Sequence, residues 1–186
     1  MINHHFRDKE LLNWLWHLAG LRQEIKDGYI LMHDPLLTGI QAHYVGLKGE
    51  YAVACLLGLR IDEGIYKFGD SGYDLIYIDN DGKRMTIDVK CSQTRYLIFD
   101  KNKFLADAAV LTRPYNKETQ QAGIPAVRDF RLATHPKFGY EDIIIYGWLD
   151  RHTFYDRCFT PDWKKRKLKD AVPLEKLFNI DDLMYD

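Results

Sequence analysis

The stretch from Gly69 to Gln93, GDSGYDLIYIDNDGKRMTIDVKCSQ, constrains the fold more tightly than any other in the chain. Asp74–Ile78 and Met85–Cys91 each alternate β-branched, aromatic or apolar residues with polar ones, the period of a strand with one buried face. Between them stands DNDG, whose residues tolerate the positive φ of a tight connection. Two such runs about such a turn predict an antiparallel hairpin. Its charges are the anomaly. Asp74 opens the first strand, Asp88 and Lys90 lie near the end of the second, and residues 88 and 90 share a face. With the turn near Asp79–Gly82, Asp74 falls opposite the region around residues 86–88. The two carboxylates then approach each other closely.

Adjacent carboxylates repel unless one is protonated or a cation lies between them. Oxygen donors suit a hard divalent ion such as Mg²⁺, which keeps several waters and takes phosphate oxygens as further ligands. Lys90, next to them, is positioned to orient or deprotonate a water, or to offset charge on a phosphorus transition state. Val89 points to the opposite face, so its side chain packs inward while its carbonyl oxygen is free to reach the ion. This pattern is what a metal-dependent phosphodiester cut requires. The plainer alternative is a solvated hairpin with a cross-strand ion pair, common in a chain with 28% charged residues.

The surroundings bear on that choice. Residues 40–58, IQAHYVGLKGEYAVACLLG, are the strongest helical signal, with Val45, Ala52, Leu56 and Leu59 recurring on one side and Gly58 able to cap. Gly46 and Gly49 inside it each cost about 1 kcal/mol against alanine, which predicts a close approach to the backbone. Residues 8–19, DKELLNWLWHLA, form a shorter helix ending at Gly20, with Trp14 and Trp16 as packing residues. Further strands are expected at Ile65–Phe68, Ala108–Thr112, Val127–Leu132 and Asp142–Leu149, and TRPYNKETQQAGIPA reads as a loop. The tail carries the basic run WKKRKLKD and then PLEKLFNIDDLM, a short amphipathic helix. The order of elements predicts a single domain, an α/β or α+β sandwich around a mixed sheet.

Three segments, GLKGEYAVACLLG, SGYDLIYI and TIDVKCSQ, resemble the PD-(D/E)XK nuclease superfamily, whose restriction-endonuclease-like core joins a helix to a metal-binding hairpin. The resemblance implies an α/β three-layer sandwich with a central mixed sheet flanked by helices, and it covers residues 40–150, leaving 1–39 as an N-terminal helical extension and 151–186 as a basic tail. It implies that Asp74 and Asp88 bind Mg²⁺ (Mn²⁺ substituting), with the Val89 carbonyl as a further ligand and Glu50 binding directly or through water. Lys90 would then position the attacking water and Gln93 help to orient it. Tyr73 stands where many members have proline, and Asp88 where glutamate is commoner. The implied activity is a DNA-cutting hydrolase, endo- or exonuclease, in repair, recombination or phage-type DNA processing. DNA as the substrate rests on the superfamily's habit alone.

Composition narrows the partners. A net charge of −1 and a pI near 6.7 give no global attraction to nucleic acid, so local patches must supply it. The candidates are Lys164, Lys165, Arg166 and Lys167 with Lys169 in the tail, and Arg95 with Lys101, Lys103 and Arg113 after the active strand. The bland reading of the tail run is a solvated face. His43, seven residues before Glu50, could reach a phosphate, or serve only as a helical hydrogen-bonding residue. No phosphate-binding GxxxxGK[ST] loop and no nucleophile elbow occurs. Cys55, Cys91 and Cys158 are odd in number and widely spaced, which favours a reducing, cytoplasmic setting, and Cys91 should pack. No run approaches the roughly 20 apolar residues of a membrane span. Self-association is left open. Two rivals remain: a catalytically inactive nucleic-acid binder that keeps the fold, and an interaction domain whose hairpin acids form surface ion pairs.

Overall fold

The computed structural model describes residues 1–26, 39–64, 72–79, 81–92, 94–115, 142–161 and 169–185. The strands expected at Ile65–Phe68 and Val127–Leu132 lie outside these residues. In chain order come β1 (Ile2–His5), α1 (Lys9–Lys26), α2 (Gly39–Leu56), β2 (Leu75–Ile78), β3 (Arg84–Cys91), β4 (Tyr96–Asp100) and β5 (Ala108–Tyr115). Then follow β6 (Asp142–Asp150), α3 (Arg151–Arg157), β7 (Lys169–Pro173), a 3-10 turn (Leu174–Lys176) and α4 (Asp182–Tyr185). Among the described residues no helix is long and apolar enough to cross a membrane.

Five strands make one mixed sheet in the order β1-β6-β5-β3-β2, with β3 and β5 parallel and the other pairs antiparallel. Strand alternation assigns its two faces to two different cores. Ile87, Val89, Ala108, Val110, Ile143 and Ile145 pack against Leu12, Leu15 and Leu18 of α1 and Leu47 and Val53 of α2. Ala109, Leu111 and Leu149 face the other way, onto Leu97 and Phe99 of β4, Val172 of β7 and Phe154 of α3. Each Val, Leu, Ile or Phe among them, fully buried, contributes roughly 1.5–3 kcal/mol. The second face is thus covered largely by the two-stranded β4–β7 sheet, a cover that the expected helical layers did not include.

Several boundaries move for local reasons. Helix α1 runs through Gly20 to Lys26 because Gly20 is not among the residues with positive φ, and Leu21–Lys26 are good helix formers. Trp16 packs edge-on to Tyr44 at 5.1 Å, whereas Trp14 is exposed, contrary to its expected packing role. Gly58 caps α2 with φ +67: Leu59 N–H donates to Ala54 O (2.8 Å) and Gly58 N–H to Cys55 O (3.3 Å), the Schellman pattern. Of the loop expected over residues 112–126, residues 112–115 belong to β5, and the rest lies outside the described residues. Pairing with β3 stops at Thr112, so Pro114 sits where β5 has one open side. The tail is no amphipathic helix over 173–184 but a 3-10 turn and the four-residue α4, separated by a β-bridge of Phe178 with Trp148. Gly147 makes that crossing fit, since a Cβ there would collide with the Phe178 carbonyl and reach Leu177 Cβ at 3.0 Å.

Candidate active site

The hairpin forms as its sequence dictates. Asp79 Oδ1 accepts the N–H groups of Asp81 (3.0 Å) and Lys83 (2.7 Å), and Gly82 takes φ +79. The register pairs Leu75 with Ile87 and Ile78 with Arg84, which brings Asp74 level with Asp88. Asp74 stands one residue before β2, not within it as expected, because its own groups splice it to β3. Its N–H donates to Ile87 O (2.8 Å), and its carboxylate Oδ2 accepts the Val89 N–H (2.6 Å). The Asp74 side chain takes the place of a backbone carbonyl and brackets Asp88.

Asp88 and Lys90 share the face that looks toward β4, while Val89 buries its side chain in the opposite core. The Lys90 ammonium approaches both Asp88 oxygens, Oδ2 at 2.8 Å and Oδ1 at 2.5 Å, and stands 4.9 Å from the centre of the Phe99 ring. Asp88 is 7% exposed, deep enough to need that charge partner.

Helix α2 brings Glu50 to the same place because Gly49 lets it ride low on the sheet. A Cβ at Gly49 would stand 2.6 Å from Thr112 Oγ1 and 3.1 Å from Cys91 Cβ, so this glycine is the close approach that the sequence predicted; Gly46 has no such neighbour. Glu50 is 7% exposed, and Arg22 Nη1 of α1 donates to both of its oxygens at 3.3 Å. The second nitrogen of Arg22 donates to Asp62 O at 2.6 Å. A helix ending at Gly20 leaves Arg22 outside the site, and only the continuation of α1 to Lys26 brings it in. Nothing in the α1 pattern marks a residue that reaches across to α2.

The Asp74 carboxyl is held well above the usual carboxylate range, first by burial, then by the charges of Glu50 and Asp88; Lys90 and the Val89 N–H pull the other way. Glu50, Asp74, Asp88 and Lys90 therefore feel one another although they come from three elements. Three carboxylates face two cations, Lys90 and Arg22. Carboxylate and carbonyl oxygens are the donor type that a hard divalent cation takes. The donors that would hold it are Asp74, Asp88 and the Val89 carbonyl, with Glu50 beyond. Among the described residues, no group of three or more His, Cys, Asp and Glu side chains is gathered in metal-binding array, so water or phosphate oxygens would have to complete any shell. A cleft of about 360 Å³, walled by Leu59, Ile61, Asp62 and Tyr73, reaches Asp74.

The remaining candidates separate. Gln93 and Lys164, Lys165, Arg166 and Lys167 lie outside the described residues. His43 is half-buried on α2. Lys169 is in β7, where it pairs with Asp100. Arg95 and Arg113 line a different cavity. Cys91 packs against α2 as expected, with burial pushing its thiol up to about 12. Lys48, not anticipated at all, is 1% exposed on α2 with its ammonium 4.7 Å from the centre of the Phe6 ring. Comparison with protein-family models, curated proteins and solved structures finds no match to the chain.

Proposed function

We propose that the protein is a metal-dependent nuclease of the PD-(D/E)XK type, with a restriction-endonuclease-like three-layer core, and that it hydrolyses phosphodiester bonds in DNA. The observation that carries this reading is the meeting of Glu50, Asp74, Asp88 and Lys90, with the Asp74 carboxyl raised first by burial and then by its two acidic neighbours. A fold does not need such a cluster, since gathering carboxylates costs stability. Asp74 and Asp88, with the Val89 carbonyl, would hold Mg²⁺ or Mn²⁺, and Glu50 would act directly or through water. Bound there, the ion would polarise a phosphate oxygen and offset developing negative charge. Lys90 is the residue that orients a water for in-line attack: the water oxygen bonds to phosphorus and gives up a proton to solvent, the far ester P–O bond breaks, and the departing oxygen takes a proton from solvent. Swinging from Asp88 to that water frees the Asp88 oxygens for the ion.

The test is incubation with linear, circular, branched and single-stranded DNA plus Mg²⁺ or Mn²⁺. Cleavage that Asp88→Ala and Lys90→Ala abolish supports the reading; cleavage that persists in both assigns it to another source. The ion pairs Lys90–Asp88 and Arg22–Glu50 favour one rival, a catalytically inactive nucleic-acid binder whose acids are neutralised internally. Such a protein would retain DNA binding and show no cleavage with either ion.

A further inference from the structure

The sheet face that carries Asp88 and Lys90 also carries a larger concavity of about 860 Å³. Its floor is β1, β6 and β5, and its walls include Asn3, Arg95, Arg113, Tyr115, Tyr146 and Leu174. Arg113 is half-buried and Arg95 exposed. Among the described residues, neither guanidinium has an acidic or hydrogen-bonding partner. A guanidinium partly withdrawn from water without a partner is costly, and its planar fork matches a phosphate. The groove is built, not incidental. The Arg95 carbonyl accepts the Leu174 N–H (2.9 Å), which ties the start of β4 to the end of β7. A bulge in β6, where Leu111 pairs with Gly147 but Thr112 with Ile145, leaves Tyr146 out of register and turned to this face.

The groove is also next to the acidic cluster. Lys90 pairs in register with Leu111, and Arg113 lies two residues farther along β5, about 7 Å at the rise of a strand. A cavity of this size accepts a ligand of drug-like dimensions, which a few nucleotides of single strand match and a double helix exceeds. Aromatic faces beside cationic groups are the means by which single strands are bound without reading their sequence.

We propose that this groove holds an unpaired nucleic-acid strand, with Arg95 and Arg113 on its phosphates and Tyr115 and Tyr146 against its bases, and leads its backbone to Lys90. The direction toward Lys90 rests on the nuclease reading; the binding itself does not require cleavage.

The test is fluorescence anisotropy with labelled oligothymidylate, oligouridylate and a duplex, in EDTA so that nothing is cut. Both single strands should bind more tightly than the duplex, and the tighter of the two assigns DNA or RNA. The doubly substituted Arg95→Ala/Arg113→Ala protein, its fold checked by its melting curve, should lose affinity. Its slope of log K against log salt should be shallower by about 1.4, from 0.7 per phosphate released by a single strand. Tyr115→Ala and Tyr146→Ala should each weaken binding about fivefold to 150-fold. Arg95→Lys/Arg113→Lys should keep the salt slope while losing affinity, because the charge remains and the fork does not. Equal affinity for the duplex, or an unchanged slope in the alanine variant, overturns the proposal. Failure of the nuclease reading shows elsewhere, as Mg²⁺-dependent cleavage that is absent or indifferent to Lys90→Ala, and leaves this metal-free titration unaffected.

Discussion

Replacing Asp74 with asparagine removes one of three converging negative charges and keeps the shape of the side chain. The amide oxygen can still accept the Val89 N–H that Oδ2 accepts at 2.6 Å. The fold therefore sheds the cost of a buried charge and a repulsion, and loses no hydrogen bond. The folded-state pKa of Asp74 is raised from its ordinary 3.8, so the native protein binds its proton more tightly than the unfolded chain does. The sign follows: stability falls as pH rises from about 3.8 through the raised native value, and above it the penalty is complete. Every tenfold change in acidity corresponds to about 1.4 kcal/mol. For a chain of this length each kcal/mol moves Tm by roughly 2–4 °C. Asp74→Asn should therefore melt about 3–5 °C higher at neutral pH, in EDTA, for each tenfold of acidity that folding suppresses. The advantage should shrink as pH falls toward 4 and vanish below it. Calorimetry of both proteins across that range measures it. A variant less stable than wild type at neutral pH, or a difference independent of pH, would refute the argument that burial and its acidic neighbours raise the Asp74 pKa.

Gly49→Ala should destabilise by roughly 1–3 kcal/mol, because its Cβ would press on Thr112 Oγ1 at 2.6 Å and lift α2 off β3 and β5; chemical denaturation measures the loss, and a neutral result would mean that α2 has room to shift. Phe104→Ala should cost roughly 3–5 kcal/mol, since that ring is 2% exposed and stacks on Phe99 at 4.3 Å. A thiol reagent at pH 8 should label exposed Cys55 at once and half-buried Cys91 far more slowly, its thiol being shifted to about 12; labelling of Cys91 as rapid as that of Cys55 would contradict its packing beneath α2.

What the sequence disclosed was local. The β2–β3 hairpin is written in two alternating runs and a DNDG turn, so the level placement of Asp74 and Asp88 follows from counting. Helix α2 and its Gly58 cap are likewise set by near neighbours. What stayed hidden depends on partners far along the chain. Strand β1 (INHH) has little strand character of its own and exists because Ile2–His5 pair with Asp142–Ile145. Strand β7 (KDAVP), read as the end of a basic run, is a strand because it pairs with β4, more than sixty residues earlier. The site divides in the same way. The hairpin announced Asp74, Asp88 and Lys90, but Arg22 reaches Glu50 only through the packing of α1 on α2, which no spacing within α1 encodes.

The central claim is that the acids of the β2–β3 hairpin bind a divalent ion for phosphodiester chemistry. Calorimetric titration of Mn²⁺ into the protein, with Asp74→Asn and Asp88→Asn beside it, tests it most directly. Saturable binding in the wild type, accompanied by a rise in Tm, and loss of both in each variant is the predicted result. A wild-type protein that takes up no Mn²⁺ or Mg²⁺, or variants that bind as well as it does, would contradict the account.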